Sequence, residues 1–334
     1  MTTGRECLVI RSGAFGDVLM ASAVLPGLAA QGWRLTLATS WEGEEMLRHD
    51  PYLNGRIRTW PHLPDKENAE TWKAAGTEFD RVVNLVNGME CSILRHPSQL
   101  SYHWPQDQRR TMSSGSYLAQ YMAQAGLAGP GRIRFTPSLD EVAWANEIAE
   151  KIGPFVVWTL RGSAPHKVYP YAPMVVTQIL SQTDHAVVLV GDLGARELEA
   201  AVYDATQDFL GPAGVKRIFS LVGDGSIRRP LALAQKATVV IGPETVVPMA
   251  VAHEPQVHKV LILSHSAPSN LTDDWINVTA LTPTAPCYPC HRLHTDWTYC
   301  PQDEKTGAAA CAASLPASLV SEAALRAIGA LCAC

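Results

Sequence analysis

The sequence of 334 residues lacks any apolar run long enough to cross a membrane as a helix, which takes about 20 residues. The closest stretch, rich in alanine near the C-terminus, is interrupted by Pro316, Glu322 and Arg326. Charge is sparse: Asp, Glu, Lys and Arg make up 18% of the chain and the net charge is −5, so no overall positive field draws it to nucleic acid. The opening residues hold one short apolar run that Arg11, Ser12 and Gly13 break, which does not read as a signal peptide. A GxGxxG dinucleotide fingerprint and an internal repeat are both missing. These absences point to a cytoplasmic protein without a membrane span. What is present is apolar material, 47% of residues, which supplies packed cores and excludes a disordered chain. The length suits two domains better than one.

Short β-rich runs alternate with amphipathic stretches. In the first half the pattern predicts strands over 7–10, 35–39 and 81–86 and helices over 17–30, 42–48 and 116–125, with long loops over 50–78 and 96–115. Ser138 and Glu141 have the capping-box spacing and open a helix that runs to about 152, where Gly153 and Pro154 end it. The second half predicts strands over 155–160, 186–190, 217–221, 238–241 and 259–263, separated by helices near 171–181, 195–209, 227–235 and 246–253. Such alternation argues parallel α/β sheets with right-handed crossovers. The break near 153 argues two lobes, 1–152 and 153–317, with a cleft between them. A last helical segment, 318–334, is read as packing back on the first lobe.

Three stretches carry candidate chemistry. Arg11, Gly13, Gly16 and Asp17 follow the first strand, at the edge where open α/β sheets bind ligands. The glycines let backbone approach a ligand, and the helix start offers N–H groups to an anion. Asp17 either faces the cleft or merely favours the helix N-terminus electrostatically. Arg161, Gly162, Ser163, His166 and Lys167 follow the first strand of the second lobe. Small residues, a hydroxyl and a lysine suit a diphosphate, although a loop lysine is also commonly just solvated. Gly242, Pro243, Glu244 and Thr245 end a buried strand, where the threonine can donate to a phosphate or sugar hydroxyl and the glutamate can accept from one. Helix capping is the plainer role for both.

Taken in order, these segments resemble glycosyltransferase family 9, which includes the ADP-heptose:lipopolysaccharide heptosyltransferases. Gly16 and Asp17 resemble its N-terminal signature. Gly162 and Ser163 with Lys167, Tyr169 and Pro170 resemble its Gly-Ala-Ser…Lys-x-Trp-Pro segment. Gly191 and Asp192 with Glu197 and Glu199 resemble its next strand–helix unit, and Gly242, Glu244 and Thr245 resemble its Gly-x-Asp-Thr-Gly motif. The resemblance spans nearly the whole chain and implies an α/β GT-B fold, two Rossmann-like parallel-sheet lobes facing across a cleft. It implies an inverting, metal-independent transfer from a nucleotide sugar, ADP-linked heptose first among the donors. Asp17 would be the general base, Lys167 would stabilise the departing diphosphate, and Gly16, Gly162, Ser163, Gly191, Asp192, Glu244 and Thr245 would hold the donor. Glu244 and Val246 stand where the family has Asp and Gly, and Tyr169 where it has Trp. Both departures are expected in the donor pocket.

Eight cysteines are unevenly spread. Cys287 and Cys290 form a C-x2-C knuckle, followed by Cys300 and Cys311, enough for a structural zinc or iron site of four thiolates. His291 and His294 are substitute ligands. The segment 283–317 has little to bury, so a metal would supply its cross-link; unligated thiols or disulfides formed on oxidation are the alternatives. The stretch resembles that of the iron-finger autotransporter heptosyltransferases. Four thiolates leave no open position for a catalytic metal.

Three functions follow as competing expectations: a glycosyltransferase, a nucleotide-sugar hydrolase or epimerase, or a catalytically idle GT-B scaffold that binds partners or oligomerises. For the transferase the acceptor is a lipopolysaccharide core sugar, a protein hydroxyl or a modified DNA base. The aromatic and basic stretch with Tyr102, His103, Trp104, Arg109 and Arg110 is its candidate binding surface.

Overall fold

The computed structural model describes residues 5–59, 73, 77–86, 94 and 97–329. The predicted loop over 50–78 and the end of the segment 318–334 fall partly outside the described residues. The first sheet contains β1 (Glu6–Ile10), β2 (Arg34–Thr39), β3 (Ile57–Thr59) and β4 (Arg81–Asn84), all parallel in the order β3-β2-β1-β4. The second contains β5 (Phe155–Thr159), β6 (Ala186–Val190), β7 (Ile218–Ser220), β8 (Val239–Pro243), β9 (His258–Ile262) and β10 (Val278–Leu281). These are also all parallel, in the order β10-β9-β8-β5-β6-β7. Helices cover both faces, so β5, β6 and β8 are buried along their whole length. That is why they read as unbroken apolar runs rather than alternating ones. The architecture is the GT-B pair of parallel-sheet lobes.

Local chemistry sets the joints. Ser138 accepts from the Glu141 amide and the Glu141 carboxylate accepts from the Ser138 amide, the capping box that opens helix Leu139–Ile152. That helix stops at Gly153, whose φ of 72° lies in the left-handed region that favours glycine. The lobes share one apolar cluster: Val18, Leu19 and Leu28 of the first join Val157, Leu231, Val247 and Met249 of the second. Arg228, fully buried at the start of helix Arg228–Ala234, donates from Nε to Glu141 Oε1 at 2.7 Å and from Nη1 to the Met46 carbonyl at 3.3 Å.

The last helix, Ala317–Ile328, corrects one expectation: it lies on the second lobe, not the first. Its Val320 and Ala324 join Val239, Ile241 and Val260 in a core around β8 and β9, and Ser321 Oγ donates to Gln178 Oε1 of helix Ala172–Gln182. The sheet face over β8 and β9 needs an apolar cover, and this helix carries one.

Candidate active site

Asp17 is built in from the first lobe. After β1 the chain turns through Gly13, whose φ is +130° and where a Cβ would sit 3.0 Å from Asp17 Oδ2. The turn feeds helix Phe15–Met20. Arg11 is wholly buried beneath it, with Nη2 3.6 Å from Asp17 Oδ2 and Nε donating to the Asp17 carbonyl at 3.4 Å. The Tyr121 hydroxyl donates to that carbonyl from across the lobe at 3.1 Å. Backbone and carboxylate of Asp17 are thus both held, with the side chain 14% exposed at the rim.

The second lobe supplies the floor. Lys167 closes the 3-10 turn Pro165–Lys167, and its carbonyl accepts from the Gly162 amide at 2.9 Å. A Cβ on Gly162 would lie 2.8 Å from Lys167 Cδ and 2.9 Å from Thr245 Cγ2. The lysine therefore crosses directly over this glycine toward the end of β8, and no other residue fits there without displacement. Thr159 and Thr245 keep buried hydroxyls with no hydrogen-bond partner among the described residues, an arrangement that costs free energy unless something else satisfies them.

Glu244 behaves differently from the expectation. It borders the cleft, but its carboxylate turns away and is only 2% exposed. It accepts from Ser264 Oγ at 2.6 Å, from the Ser266 amide at 3.2 Å and from His265 Nδ1. Burial alone pushes its pKa up; His265, then Lys167 and the Ser264 hydroxyl, outweigh that and hold the carboxyl well below the usual range. The extra methylene relative to aspartate is what reaches this loop. Tyr169 also departs from the expected donor pocket: it is buried against Trp158, and its hydroxyl donates to the Leu315 carbonyl at 2.9 Å.

Behind Glu244 lies a group of buried histidines. The His166 ring centroid is 5.1 Å from that of His265 and 5.4 Å from that of His294, and neither His166 ring nitrogen has a hydrogen-bond partner among the described residues. Burial, then the neighbouring His265 and Lys167, holds the His166 pKa well below its ordinary value. Burial likewise lowers His291 and His294, each to about 4.

The cysteines gather here without forming the expected centre. Cys300 and Cys311 pack in one small core with Cys287 against it, and Cys290 Sγ is 3.7 Å from His294 Nε2. Among the described residues no group of three or more His, Cys, Asp or Glu is disposed to hold a metal ion. Burial raises all four thiols, Cys290 to about 11 and Cys300 to about 12. The stretch read as an acceptor surface also braces this segment. Arg109 Nε donates to the Cys290 carbonyl at 3.0 Å, and Gln106 and Arg110 donate to the Pro286 carbonyl at 2.8 and 3.3 Å. Tyr102 is buried, with its hydroxyl 3.2 Å from His294 Nδ1.

One cleft of about 710 Å³ brings the candidates together. Gly16 and Asp17 line it from the first lobe; Gly162, Ser163, Lys167, Gly191, Asp192, Glu244 and Thr245 line it from the second. The sequence reading missed Phe15, Thr159, Arg161 as an individual ligand, and the loop with Asp224 and Ser226 after β7, all of which line it too. No spacing signal marks that loop; only the strand order places it beside the others.

No protein-family model and no curated protein sequence matches the chain. Solved structures do. ADP-heptose lipopolysaccharide heptosyltransferase II of E. coli aligns with a TM-score of 0.64 at 14% identity, over 97% of this chain and 98% of that one. A glycosyl transferase family 9 protein from Veillonella parvula DSM 2008 gives 0.66 at 14% identity, over 97% of each chain. TibC of enterotoxigenic E. coli H10407, an iron-containing dodecameric glycosyltransferase, gives 0.58 at 13% identity, over 98% of this chain and 77% of that one. The chain has the heptosyltransferase fold. In this heptosyltransferase fold the cleft just described lies outside the C-terminal ends of β1, β5, β6, β7 and β8, where parallel sheets present their ligand-binding loops.

Proposed function

We propose that this chain is an inverting glycosyltransferase that moves a sugar from a nucleotide-sugar donor to an acceptor hydroxyl. One observation carries the reading: the aspartate and the lysine chosen from sequence for opposite ends of a transfer reaction line the same cleft. Asp17 takes the acceptor proton as its oxygen attacks the anomeric carbon. That carbon's bond to the diphosphate breaks, and the electron pair leaves on the phosphate oxygen. Lys167, beside Gly162 and Thr245, meets the charge that develops there. An ADP-linked heptose-type donor is favoured, because TibC was solved with ADP-D-beta-D-heptose and E. coli WaaC with ADP. The exposed Trp41 ring stands edge-on to cleft-lining Phe15, centroids 5.3 Å apart. This pair supports an acceptor with a ring face to stack, such as a sugar.

Glu244 acts as an anchor in this reading. Its carboxylate ties the end of β8 to the loop after β9, and Thr245 then meets the donor. The test is paired titration and turnover with ADP- and UDP-linked sugars. Asp17→Asn is expected to lower transfer by about 100- to 10,000-fold while donor affinity stays within a few-fold of wild type. Sugar released at the wild-type rate without any acceptor identifies a hydrolase, and a wild-type protein that binds no nucleotide identifies a scaffold; either outcome overturns the reading.

A further inference from the structure

Arg161 lines the cleft two residues beyond β5, with about a third of its side chain exposed. Its Nη1 donates to the Gly194 carbonyl at 2.9 Å, and its Nε lies 3.9 Å from Asp192 Oδ1. A Cβ on Gly194 would fall 2.6 Å from that Nη1, so the guanidinium lies close against glycine backbone at the junction of the β5 and β6 loops. Lys167 lies on the other side of Gly162, toward Thr245 at the end of β8. Because β5 sits between β8 and β6 in the sheet, the order along the cleft floor is Thr245, Lys167, Gly162, Arg161, Asp192.

We propose that Arg161 binds the nucleoside-side phosphate of the donor, while Lys167 binds the sugar-side phosphate that becomes the leaving oxygen. The assignment rests on the reading of the cleft as a nucleotide-sugar site. The sugar must lie toward Asp17 for transfer, so the nucleoside extends to the other side of Gly162, over β6 and β7, where Leu193, Asp224 and Ser226 line the wall. The connecting diphosphate then crosses both cations in turn. Cleavage of the sugar–oxygen bond leaves an extra negative charge on the diphosphate, and a planar guanidinium engages phosphate oxygens in pairs. Nothing strong opposes the handover, since the pair with Asp192 is long and the Asp192 side chain is 70% exposed, the class of ion pair that contributes least. Asp192 is then released for the ribose hydroxyls.

The experiment is calorimetric titration of wild type, Arg161→Ala, Arg161→Lys and Lys167→Ala with adenosine, AMP and ADP, and with uridine, UMP and UDP in parallel. Arg161→Ala is expected to weaken the monophosphate and the diphosphate alike, by roughly 10- to 100-fold, and to leave the nucleoside unchanged. Lys167→Ala is expected to weaken the diphosphate alone, and Arg161→Lys to fall between wild type and alanine. If Arg161→Ala leaves phosphate binding intact, or weakens the bare nucleoside equally, the proposal fails while the broader reading stands. A wild type that binds none of the six compounds overturns the broader reading itself. Matched circular dichroism and melting of each variant separate lost contacts from lost fold, and Arg161→Lys carries the test where the alanine variant misfolds.

Discussion

Glu244 shows how one methylene redirects a residue. An aspartate at this position would stop short of residues 264–266, whereas glutamate reaches them and becomes a buried, fully engaged anion. Replacing a buried charged acceptor leaves the groups that donate to it unsatisfied, at a cost of about 1–3 kcal/mol and more for charged groups. Glu244→Gln is therefore expected to lower unfolding stability by about 3 kcal/mol in urea. Because the folded pKa lies below the unfolded one, the contribution is complete above the ordinary carboxylate range and fades as pH falls toward the folded value. A Gln variant of unchanged stability that lost donor binding would make Glu244 a ligand after all. His166 acts in the same direction by another route, because its folded form is held neutral rather than charged. Its folded pKa lies well below 6.5 because the ring is buried beside other potential cations, so the unfolded chain takes up a proton that the folded one refuses. Stability should then fall as pH drops below about 6.5, at up to about 1.4 kcal/mol per pH unit for this one histidine. His166→Phe should remove that share of the slope between pH 7 and pH 5; identical slopes for the two proteins would refute it.

At the scale of elements, β8 meets β5 so closely that a Cβ on Gly242 would lie 2.8 Å from Thr159 Cβ and 3.2 Å from the Thr159 carbonyl. Backbone on one side leaves little room to yield. Gly242→Ala is expected to cost about 1–3 kcal/mol and to weaken nucleotide binding by displacing Thr245, both readable from denaturation and titration. This packing explains a glycine that sequence could mark only as a motif letter. The buried central strands were legible because burial on two faces leaves an unbroken apolar run, as in β5 and β6. Edge strands β3 and β10 were not, being short and half-covered. Helix Gln106–Met112 was hidden within an expected loop because its sequence is polar up to Met112; its arginines and glutamine find partners in carbonyls about 180 residues away. The cleft followed the same rule. Asp17, Lys167 and Thr245 sit in recognisable loop patterns, whereas Thr159, Asp224 and the role of Arg161 depend on which strands are neighbours. The cysteine spacing, by contrast, suggested a centre that the positions of the thiols do not assemble.

At the scale of the molecule, the proposed transfer needs the two lobes held in register, since the proposed base, Asp17, comes from one and the proposed leaving-group cations from the other. The shared apolar cluster is non-directional, so it favours contact without fixing orientation. Part of the direction comes from Arg228, which reaches Glu141 Oε1 and Oε2 at 2.7 and 2.9 Å, the Thr136 carbonyl at 2.8 Å and the Met46 carbonyl at 3.3 Å, joining three segments at one fully buried guanidinium. Arg228→Ala is expected to cost about 3–5 kcal/mol, as for other broken buried pairs, and Arg228→Ala with Glu141→Gln should cost less than the two singly, because both remove one network. The kinetic consequence separates orientation from folding. On the proposed reading nucleotide affinity belongs to the second lobe and should hold at temperatures where the variant is folded, while the transfer rate should fall as Asp17 loses its alignment with the donor. A variant with the wild-type transfer rate would mean that the remaining contacts between the lobes, such as Arg109 to the Cys290 carbonyl, suffice to set the geometry of the cleft.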